Sequence, residues 1–183
     1  MEVDAVFLDR DGTIVEWVNY ISDPGDVRLC EGIADALRGL KSSGCRLFLH
    51  TNQSGVGRGY FGIEAVEAVN RRMFDLMGFG EDIFDGVCVA TDDPTGVVAE
   101  DSYRKPSVRF AREMAGKFGL SLSRCAMIGD SVCDVQTALN AGMVPVGLWR
   151  EGDDPKLKQA FAERGAAIHE QVLDWVKSLG LQS

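Results

Sequence analysis

The chain has 183 residues, 45% of them hydrophobic and 26% charged, and it carries a net charge of −9. This length and composition predict one globular domain over residues 1–183. The acidic balance argues against a nucleic-acid-binding protein, because such proteins usually present a basic face. It also means that an anionic substrate would need a local cation or a bound metal at its binding site.

The sequence shows no sign of export or membrane insertion. The first residues lack the basic start of a signal peptide, and no apolar run approaches the ~18 residues of a membrane helix. The five cysteines form no Cys-x-x-Cys pair. Widely spaced thiols in apolar segments are typical of a reducing compartment, so we expect a cytoplasmic protein without a membrane partner.

Apolar runs alternate with segments of helical periodicity along the chain. Each strand-like run is continuously apolar, as expected for a strand buried on both faces of a sheet. In chain order, the sequence predicts a strand at 3–8, a helix from Ile33 to about Leu40, a strand at 46–50, a helix at 63–77, a strand at 86–90, a helix at 107–118, a strand at 125–129, a helix around Val135–Leu139 and a strand at 144–149. The tail adds a polar helix, a short strand at 166–169 and a last helix around Val172–Leu179.

This alternation predicts an α/β fold. Strands linked by helices form a parallel sheet through right-handed crossovers, with helices on both faces. The expected architecture is therefore a three-layer α/β/α, Rossmann-like sandwich. The segments between the elements are too short for a separate cap domain, so we expect an open site shielded by segments 15–27, 55–62 and 91–104.

Polar side chains follow four of the predicted strands, and the carboxyl ends of parallel strands are where such sheets bind ligands. They are Asp9 and Asp11 after the first strand, Thr51, Asn52, Gln53 and Ser54 after the second, Arg104 and Lys105 in the loop after the third, and Asp130, Ser131 and Asp134 after the fourth. Either Asp9 or Asp130 alone would suit a turn or a helix cap, but this structural explanation does not account for the whole set.

The residue types indicate phosphate chemistry. Crowded carboxylates need a counter-charge, and a hard cation with oxygen ligands such as Mg²⁺ supplies it. Residues two apart on an extended chain project to the same side, so one of Asp9 and Asp11 could attack phosphorus while the other handles the proton of the leaving group. Lys105 and the Thr51 hydroxyl could hold phosphoryl oxygens. Strand alternation predicts that Arg10, between the two aspartates, points away from them.

Four motifs occur in order at these strand ends: DRDGT at 9–13, Thr51 in HTNQSG, Lys105 in YRKP, and IGDSVCD at 128–134. The chain thereby resembles the haloacid-dehalogenase superfamily of phosphotransferases. The segments FLDRDGTI, TNQSGVGRGYF and RKP are similar to the group that holds heptose-bisphosphate phosphatases and histidinol-phosphatases. This resemblance implies a phosphatase that works through an aspartyl-phosphate intermediate.

The resemblance also implies roles for individual residues. Asp9 would be the nucleophile, and Asp11 would protonate the leaving oxygen and then activate water. Thr51 and Lys105 would stabilise the transferring phosphoryl group. Mg²⁺ would be held by Asp9, the carbonyl of Asp11, and Asp130.

Other implied roles concern the surroundings of this set. Asp134 would orient the metal ligands rather than bind the metal directly. The predicted substrate-binding residues are Asn19, Tyr20, Asn52, Gln53, Ser54, Arg58, Arg104 and Ser131. Members of the group often carry a zinc loop, but the matching positions here are Ala90, Asp92, Asp101 and Tyr103. None of these is a thiol or an imidazole, so we expect no structural zinc.

Several functions remain open from the sequence. Arg58 and Arg104 could bind a second phosphate and therefore favour removal of the 7-phosphate of D-glycero-D-manno-heptose 1,7-bisphosphate. The alternatives are another small sugar phosphate and histidinol phosphate, whose cationic amine would need acidic contacts instead. A nucleic-acid 3′-phosphatase is opposed by the acidic charge. A non-catalytic binding protein on this fold would be expected to have lost part of the catalytic set. We expect a phosphorylated sugar as the substrate, no nucleic-acid partner, and a monomer or weak oligomer.

Overall fold

A computed structural model of the chain describes residues 3–96 and 101–181. Part of the predicted shielding segment 91–104, namely residues 97–100, lies outside the described residues. Among the described helices, none combines the length and the apolar character needed to cross a membrane.

The described residues form six strands and seven α-helices. The strands are β1 (Ala5–Leu8), β2 (Arg46–Asn52), β3 (Gly86–Ala90), β4 (Cys125–Gly129), β5 (Val144–Leu148) and β6 (Ala167–His169). The helices are α1 (Ile33–Ser42), α2 (Ser54–Gly57), α3 (Ile63–Met77), α4 (Arg109–Phe118), α5 (Val132–Ala141), α6 (Pro155–Glu163) and α7 (Val172–Ser178). The first strand begins at Ala5 rather than at Val3, and the short helix α2 was not predicted.

The sheet is parallel throughout, with the strand order β3-β2-β1-β4-β5-β6. From β1 the chain first builds outward through β2 to β3. It then crosses back to place β4 on the other side of β1. The connections therefore leave in opposite directions at the carboxyl ends of β1 and β4, which is the kind of switch point where open α/β sheets bind ligands.

Strand β1 shows how the layers are held together, because its four residues are all fully buried. Val6 and Leu8 pack into one cluster with residues from α1, α3 and α7. Phe7 points to the opposite face and packs with Phe48 and with Phe110 of α4, the Phe7 and Phe48 ring centroids being 4.7 Å apart. Helices thus cover both faces of the sheet, and the predicted three-layer α/β/α architecture is confirmed.

The described parts of the two segments that could carry a cap domain are loops. Residues 9–32 contain one 3₁₀ turn, Pro24–Asp26, and no α-helix or strand. Between β3 and α4, the described residues form no helix or strand. The carboxyl edge of the sheet is therefore bordered by loops.

Candidate active site

The site begins where β1 ends. Asp9 follows Leu8 directly, and its backbone N–H donates to the Ile128 carbonyl of β4 at 3.0 Å. The chain then turns sharply at Gly12, which has a φ of +74°. A Cβ at Gly12 would overlap the carboxylate of Asp130, so a glycine is required for the loops after β1 and β4 to approach this closely.

Lys105 is the buried cation of the site. Its Nζ lies 2.7 Å from Oδ1 of Asp9 and 2.5 Å from Oδ1 of Asp134. Burial by itself would lower the pKa of Lys105, but the carboxylates of Asp134 and Asp9 outweigh it and raise the pKa. The ammonium group is therefore held in its charged form between two acids.

Negative charge exceeds positive charge around this lysine. Oxygen atoms of Asp9, Asp130 and Asp134 lie within 4.8 Å of one another. Burial raises the pKa of Asp9 to about 7 in spite of Lys105, and burial with the charge of Asp9 raises the pKa of Asp130 to about 8. A buried oxygen-donor set with uncompensated negative charge suits a hard divalent cation such as Mg²⁺.

Asp134 differs from the other two acids because its oxygens are already engaged. It lies at the third position of α5, where its Oδ2 accepts hydrogen bonds from the backbone N–H of Ser131 at 3.1 Å and from the Ser131 hydroxyl at 2.5 Å. Its Oδ1 accepts from Lys105. The carboxylate both caps the helix and fixes the lysine.

The contacts of Asp11 correct one prediction. Arg10 does not point away, because its Nε and Nη2 donate to the two oxygens of Asp11 at 3.0 and 3.1 Å. Arg10 is fully buried, and its Nη1 donates to Oδ1 of Asn70 at 3.0 Å. Strand β1 ends at Leu8, and the chain turns from there, so strand alternation no longer sets side-chain directions at residues 10 and 11.

Side chains at the carboxyl end of β2 contact both Asp11 and Lys105. Gln53 donates from Nε2 to Oδ2 of Asp11 at 2.7 Å and to the Thr51 hydroxyl at 3.0 Å. Asn52 accepts from the backbone N–H of Lys105 at 2.9 Å and donates to its carbonyl at 3.2 Å. The end of β2 therefore positions both Asp11 and the backbone of Lys105.

A cavity of about 320 Å³ opens above this set. Eleven of the predicted site residues line it: Asp9, Asp11, Asn19, Tyr20, Asn52, Gln53, Ser54, Arg104, Lys105, Asp130 and Ser131. Thr51 and Asp134 lie beneath the wall, nearly or fully buried. The wall also contains Trp17, Val18, Ile21, Gly55 and Cys133. Of these five, Gly55 lies within HTNQSG and Cys133 within IGDSVCD, and the other three fall in the predicted shielding segment 15–27.

The two predicted arginines take different places. Arg104 lines the cavity, and its Nη1 donates to the carbonyl of Asp92 at 3.1 Å. Arg58 is not among the lining residues. Its Nη1 donates to the Tyr20 hydroxyl at 3.0 Å, and its Nε lies 3.2 Å from Oδ1 of Asp93.

Two further residues, Arg150 and His50, support the site without lining the cavity. Arg150, which follows β5, donates from Nη2 to the Gly12 carbonyl at 3.0 Å and so holds the turn that faces Asp130. His50 lies on β2 and is fully buried, with its Nε2 2.8 Å from the Tyr103 carbonyl. Burial lowers the pKa of His50 to about 4. No sequence motif marks Arg150.

Comparison with known proteins gives consistent matches over most of the chain. A D-glycero-D-manno-heptose-1,7-bisphosphate 7-phosphatase of Thermosynechococcus vestitus is 37% identical over 146 residues, 75% of this chain and 74% of that protein. A D-glycero-beta-D-manno-heptose-1,7-bisphosphate 7-phosphatase of Yersinia pestis is 35% identical over 179 residues, 95% of this chain and 89% of that protein.

The fold has a close counterpart among solved structures. The D,D-heptose 1,7-bisphosphate phosphatase of B. bronchiseptica, solved with magnesium and phosphate, superposes with a TM-score of 0.80 at 23% identity and covers 98% of both chains. The sequence model of the haloacid dehalogenase-like hydrolases matches residues 16–142. With this match and the relatives above 30% identity, the chain belongs to the haloacid dehalogenase-like hydrolase family.

Proposed function

We propose that this chain is a Mg²⁺-dependent phosphatase that removes the 7-phosphate of D-glycero-D-manno-heptose 1,7-bisphosphate. The main support for phosphoryl transfer is the position of Asp9. Its carboxylate lies on the wall of the cavity, 2.7 Å from the Nζ of the buried Lys105. The names of the relatives support the substrate, because both curated relatives described above carry that activity in their names.

In the first step, Asp9 is the nucleophile. A carboxylate oxygen of Asp9 forms a bond to phosphorus as the bond from phosphorus to the sugar oxygen breaks, and Asp11 gives its proton to that leaving oxygen. Lys105, whose Nζ lies 2.7 Å from Asp9 on the cavity wall, neutralises charge on Asp9 and on the transferring phosphoryl group. The Thr51 hydroxyl holds a phosphoryl oxygen.

In the second step, the aspartyl-phosphate is hydrolysed. Asp11, now a carboxylate, takes a proton from a water molecule, whose oxygen attacks phosphorus as the bond to Asp9 breaks. Arg10 and Gln53 hold the Asp11 carboxylate toward the cavity in this state. The products are inorganic phosphate and the dephosphorylated sugar, and Asp9 and the proton on Asp11 are restored.

The metal-binding residues in this proposal are Asp9, the Asp11 carbonyl and Asp130. The excess negative charge of the buried acids and their oxygen-only chemistry fit Mg²⁺. When bound, Mg²⁺ neutralises the phosphate and lets the anionic Asp9 approach phosphorus. Asp134 orients this set through Lys105 and Ser131.

The rest of the sugar phosphate would lie along the cavity wall. The wall offers polar groups from the predicted binding residues, namely Asn19, Tyr20, Asn52, Gln53, Ser54, Arg104 and Ser131. Arg104 is the guanidinium among these groups, and we assign it to the 1-phosphate. All five cysteines are free thiols, which suits a cytoplasmic enzyme. We further propose that the chain is a single domain over residues 1–183 and a monomer or weak oligomer.

The test is kcat/KM with Mg²⁺ across a substrate panel. The panel holds both anomers of the heptose 1,7-bisphosphate, heptose 7-phosphate, fructose 1,6-bisphosphate and histidinol phosphate, with Asp9→Asn protein as the inactive control. We expect one heptose bisphosphate anomer to exceed the other substrates by about a hundredfold or more, which corresponds to about 2.7 kcal/mol of selective binding. A flat profile would contradict the substrate but leave the phosphatase chemistry in place.

A further inference from the structure

We propose that Arg58 is a positioning residue, which shapes the cavity by holding Tyr20 and does not contact the substrate. Together with Asp93 these residues form what we call the rim clasp: Asp93, Arg58 and Tyr20. The inference deepens the proposed function, since it concerns how the same cavity selects its phosphorylated sugar.

The first observation is the backbone of Tyr20. Its φ is +52°, and among the described residues it is the one non-glycine residue with a positive φ. Side chains with a Cβ rarely adopt this conformation, which persists where surrounding contacts enforce it and is concentrated at functional sites. Tyr20 also lines the cavity, so its strained position sets the shape of the wall.

The second observation is the set of contacts that hold the Tyr20 side chain. Arg58 donates from Nη1 to the Tyr20 hydroxyl at 3.0 Å. The ring of Tyr60 packs edge-on against the ring of Tyr20, with their centroids 4.8 Å apart. The hydroxyl and the ring of Tyr20 are therefore both held by the segment that follows α2. This segment and the one containing Tyr20 are 38 residues apart in the chain.

The third observation is that Arg58 is itself anchored on a third segment. Its Nε lies 3.2 Å from Oδ1 of Asp93. Asp93 is fixed in turn, because the backbone N–H and the hydroxyl of Thr95 donate to its carboxylate at 2.9 and 2.8 Å. Gly57 lies directly on this segment, where a Cβ would overlap the Thr91 carbonyl.

These contacts oppose a direct role for Arg58 in phosphate binding. The guanidinium is occupied by a carboxylate and a phenol, and Arg58 is absent from the cavity wall that Arg104 lines. A substrate phosphate bound to Arg58 would compete with the carboxylate of Asp93 and the hydroxyl of Tyr20 for the same guanidinium. Arg58 therefore pairs with Asp93 inside the rim clasp. It affects substrate binding by fixing the position of Tyr20, which lines the cavity.

The test compares variants that separate the two roles. Asp93→Asn frees Arg58 and keeps its charge, whereas Arg58→Lys keeps the charge but cannot bridge Asp93 and Tyr20 in the same way. Asp101→Asn, in the same loop but outside the rim clasp, is the matched control. For each variant, kcat and KM are measured with the heptose bisphosphate and with p-nitrophenyl phosphate.

If the rim clasp positions Tyr20, both Asp93→Asn and Arg58→Lys raise KM for the sugar bisphosphate about tenfold. Asp93→Asn leaves kcat for p-nitrophenyl phosphate unchanged, and combining it with Tyr20→Phe adds no further loss. If Arg58 instead binds the substrate, Asp93→Asn leaves KM unchanged or lowers it and Arg58→Lys retains most of the affinity. That result would overturn the proposal.

A substrate-independent measurement separates this proposal from the proposed function. Hydrogen exchange of the backbone amides of residues 17–21 is compared between the wild type and the same variants. We expect exchange about tenfold faster in Asp93→Asn and Arg58→Lys than in Asp101→Asn. Unchanged exchange would contradict the rim clasp whichever substrate the enzyme prefers, and a change in exchange with a flat substrate panel would contradict only the heptose assignment.

Discussion

The floor and the rim of the cavity are built in different ways. The floor consists of four residues, each no more than 9% exposed: Asp9, Thr51, Lys105 and Asp134. Asp9, Thr51 and Asp134 lie within two residues of the end of a strand or the start of a helix, and Lys105 lies in the loop between β3 and α4. The rim is formed by loops, where Trp17 is 66% exposed and Tyr20 is 38% exposed.

We infer from this difference that the floor carries out the reaction and that the rim determines which substrate is preferred. Floor groups are held by the sheet and by buried charge pairs such as the one between Lys105 and Asp134, so their geometry is rigid and they can act on any phosphate that reaches them. Rim groups are held by contacts between loops, which can change without disturbing the sheet. Changes in the floor should therefore reduce the hydrolysis of all substrates, and changes in the rim should alter which substrate is preferred.

The largest expected effect comes from changing Asp9, the proposed nucleophile in the floor. Asp9→Asn should lower kcat by roughly 10⁴-fold or more on every substrate, because the amide cannot form the aspartyl-phosphate. Asp35→Asn, which changes an exposed acid of α1, is the matched control and should retain full activity. Steady-state kinetics and a thermal melt check this prediction, and near-normal hydrolysis by Asp9→Asn protein would show that another group attacks phosphorus.

The second effect is a loss of stability when the buried cation of the floor, Lys105, is removed. Lys105→Met leaves Asp9 and Asp134 without their cation, so we expect the free energy of unfolding to fall by about 3–5 kcal/mol. Lys41→Met removes the cation of a partly exposed pair with Asp85 and should cost about 1 kcal/mol or less. Urea unfolding at neutral pH measures both. Equal losses from the two variants would mean that the floor is not a buried electrostatic unit.

The third effect tests selectivity at the rim. Arg104→Ala should lower kcat/KM for the heptose bisphosphate by roughly ten- to a hundredfold, because a charge-assisted hydrogen bond to the 1-phosphate is lost. A monophosphate should lose much less. Arg109→Ala, which removes an arginine that does not line the cavity, is the control. Equal losses on both substrates would remove Arg104 from the second-phosphate role.

The smallest effect concerns His50, which links the floor to the loop that carries Arg104 through the Tyr103 carbonyl. Its pKa is lowered to about 4 from 6.5, mainly by burial, so the unfolded chain binds a proton at pH values where the folded chain does not. Its contribution to stability is present above pH 6.5 and is lost as the pH falls toward 4.

A His50→Gln variant keeps a hydrogen-bond donor but does not titrate. The free energy of unfolding of the wild type should fall by about 1 kcal/mol more than that of the variant between pH 7 and pH 5.5. Urea unfolding at the two pH values gives this difference directly. A parallel decline of the two proteins would mean that His50 takes up its proton without opening the structure.

The sequence by itself determined the sheet, its strand ends and most of the site. Continuous apolar runs located the five longer strands, and the helix predicted at 63–77 has those bounds in the structure. These features are readable because burial on a strand or a helix face repeats at short spacing along the chain. Once the sheet is parallel, residues that follow its strands must meet at one edge, which is why nine of the predicted strand-end residues line one cavity. Asn19 and Tyr20, which line it too, were indicated by the family resemblance alone.

Only the tertiary structure decided how charged side chains are used around that edge. Arg10 pairs with Asp11 and Asn70, Arg58 with Tyr20 and Asp93, and Arg150 with the Gly12 carbonyl. Most of these contacts join residues that are far apart in the chain, and all begin in turns where the strand and helix periods no longer apply. Side-chain direction there depends on which remote element packs alongside, and no local pattern in the sequence contains that information.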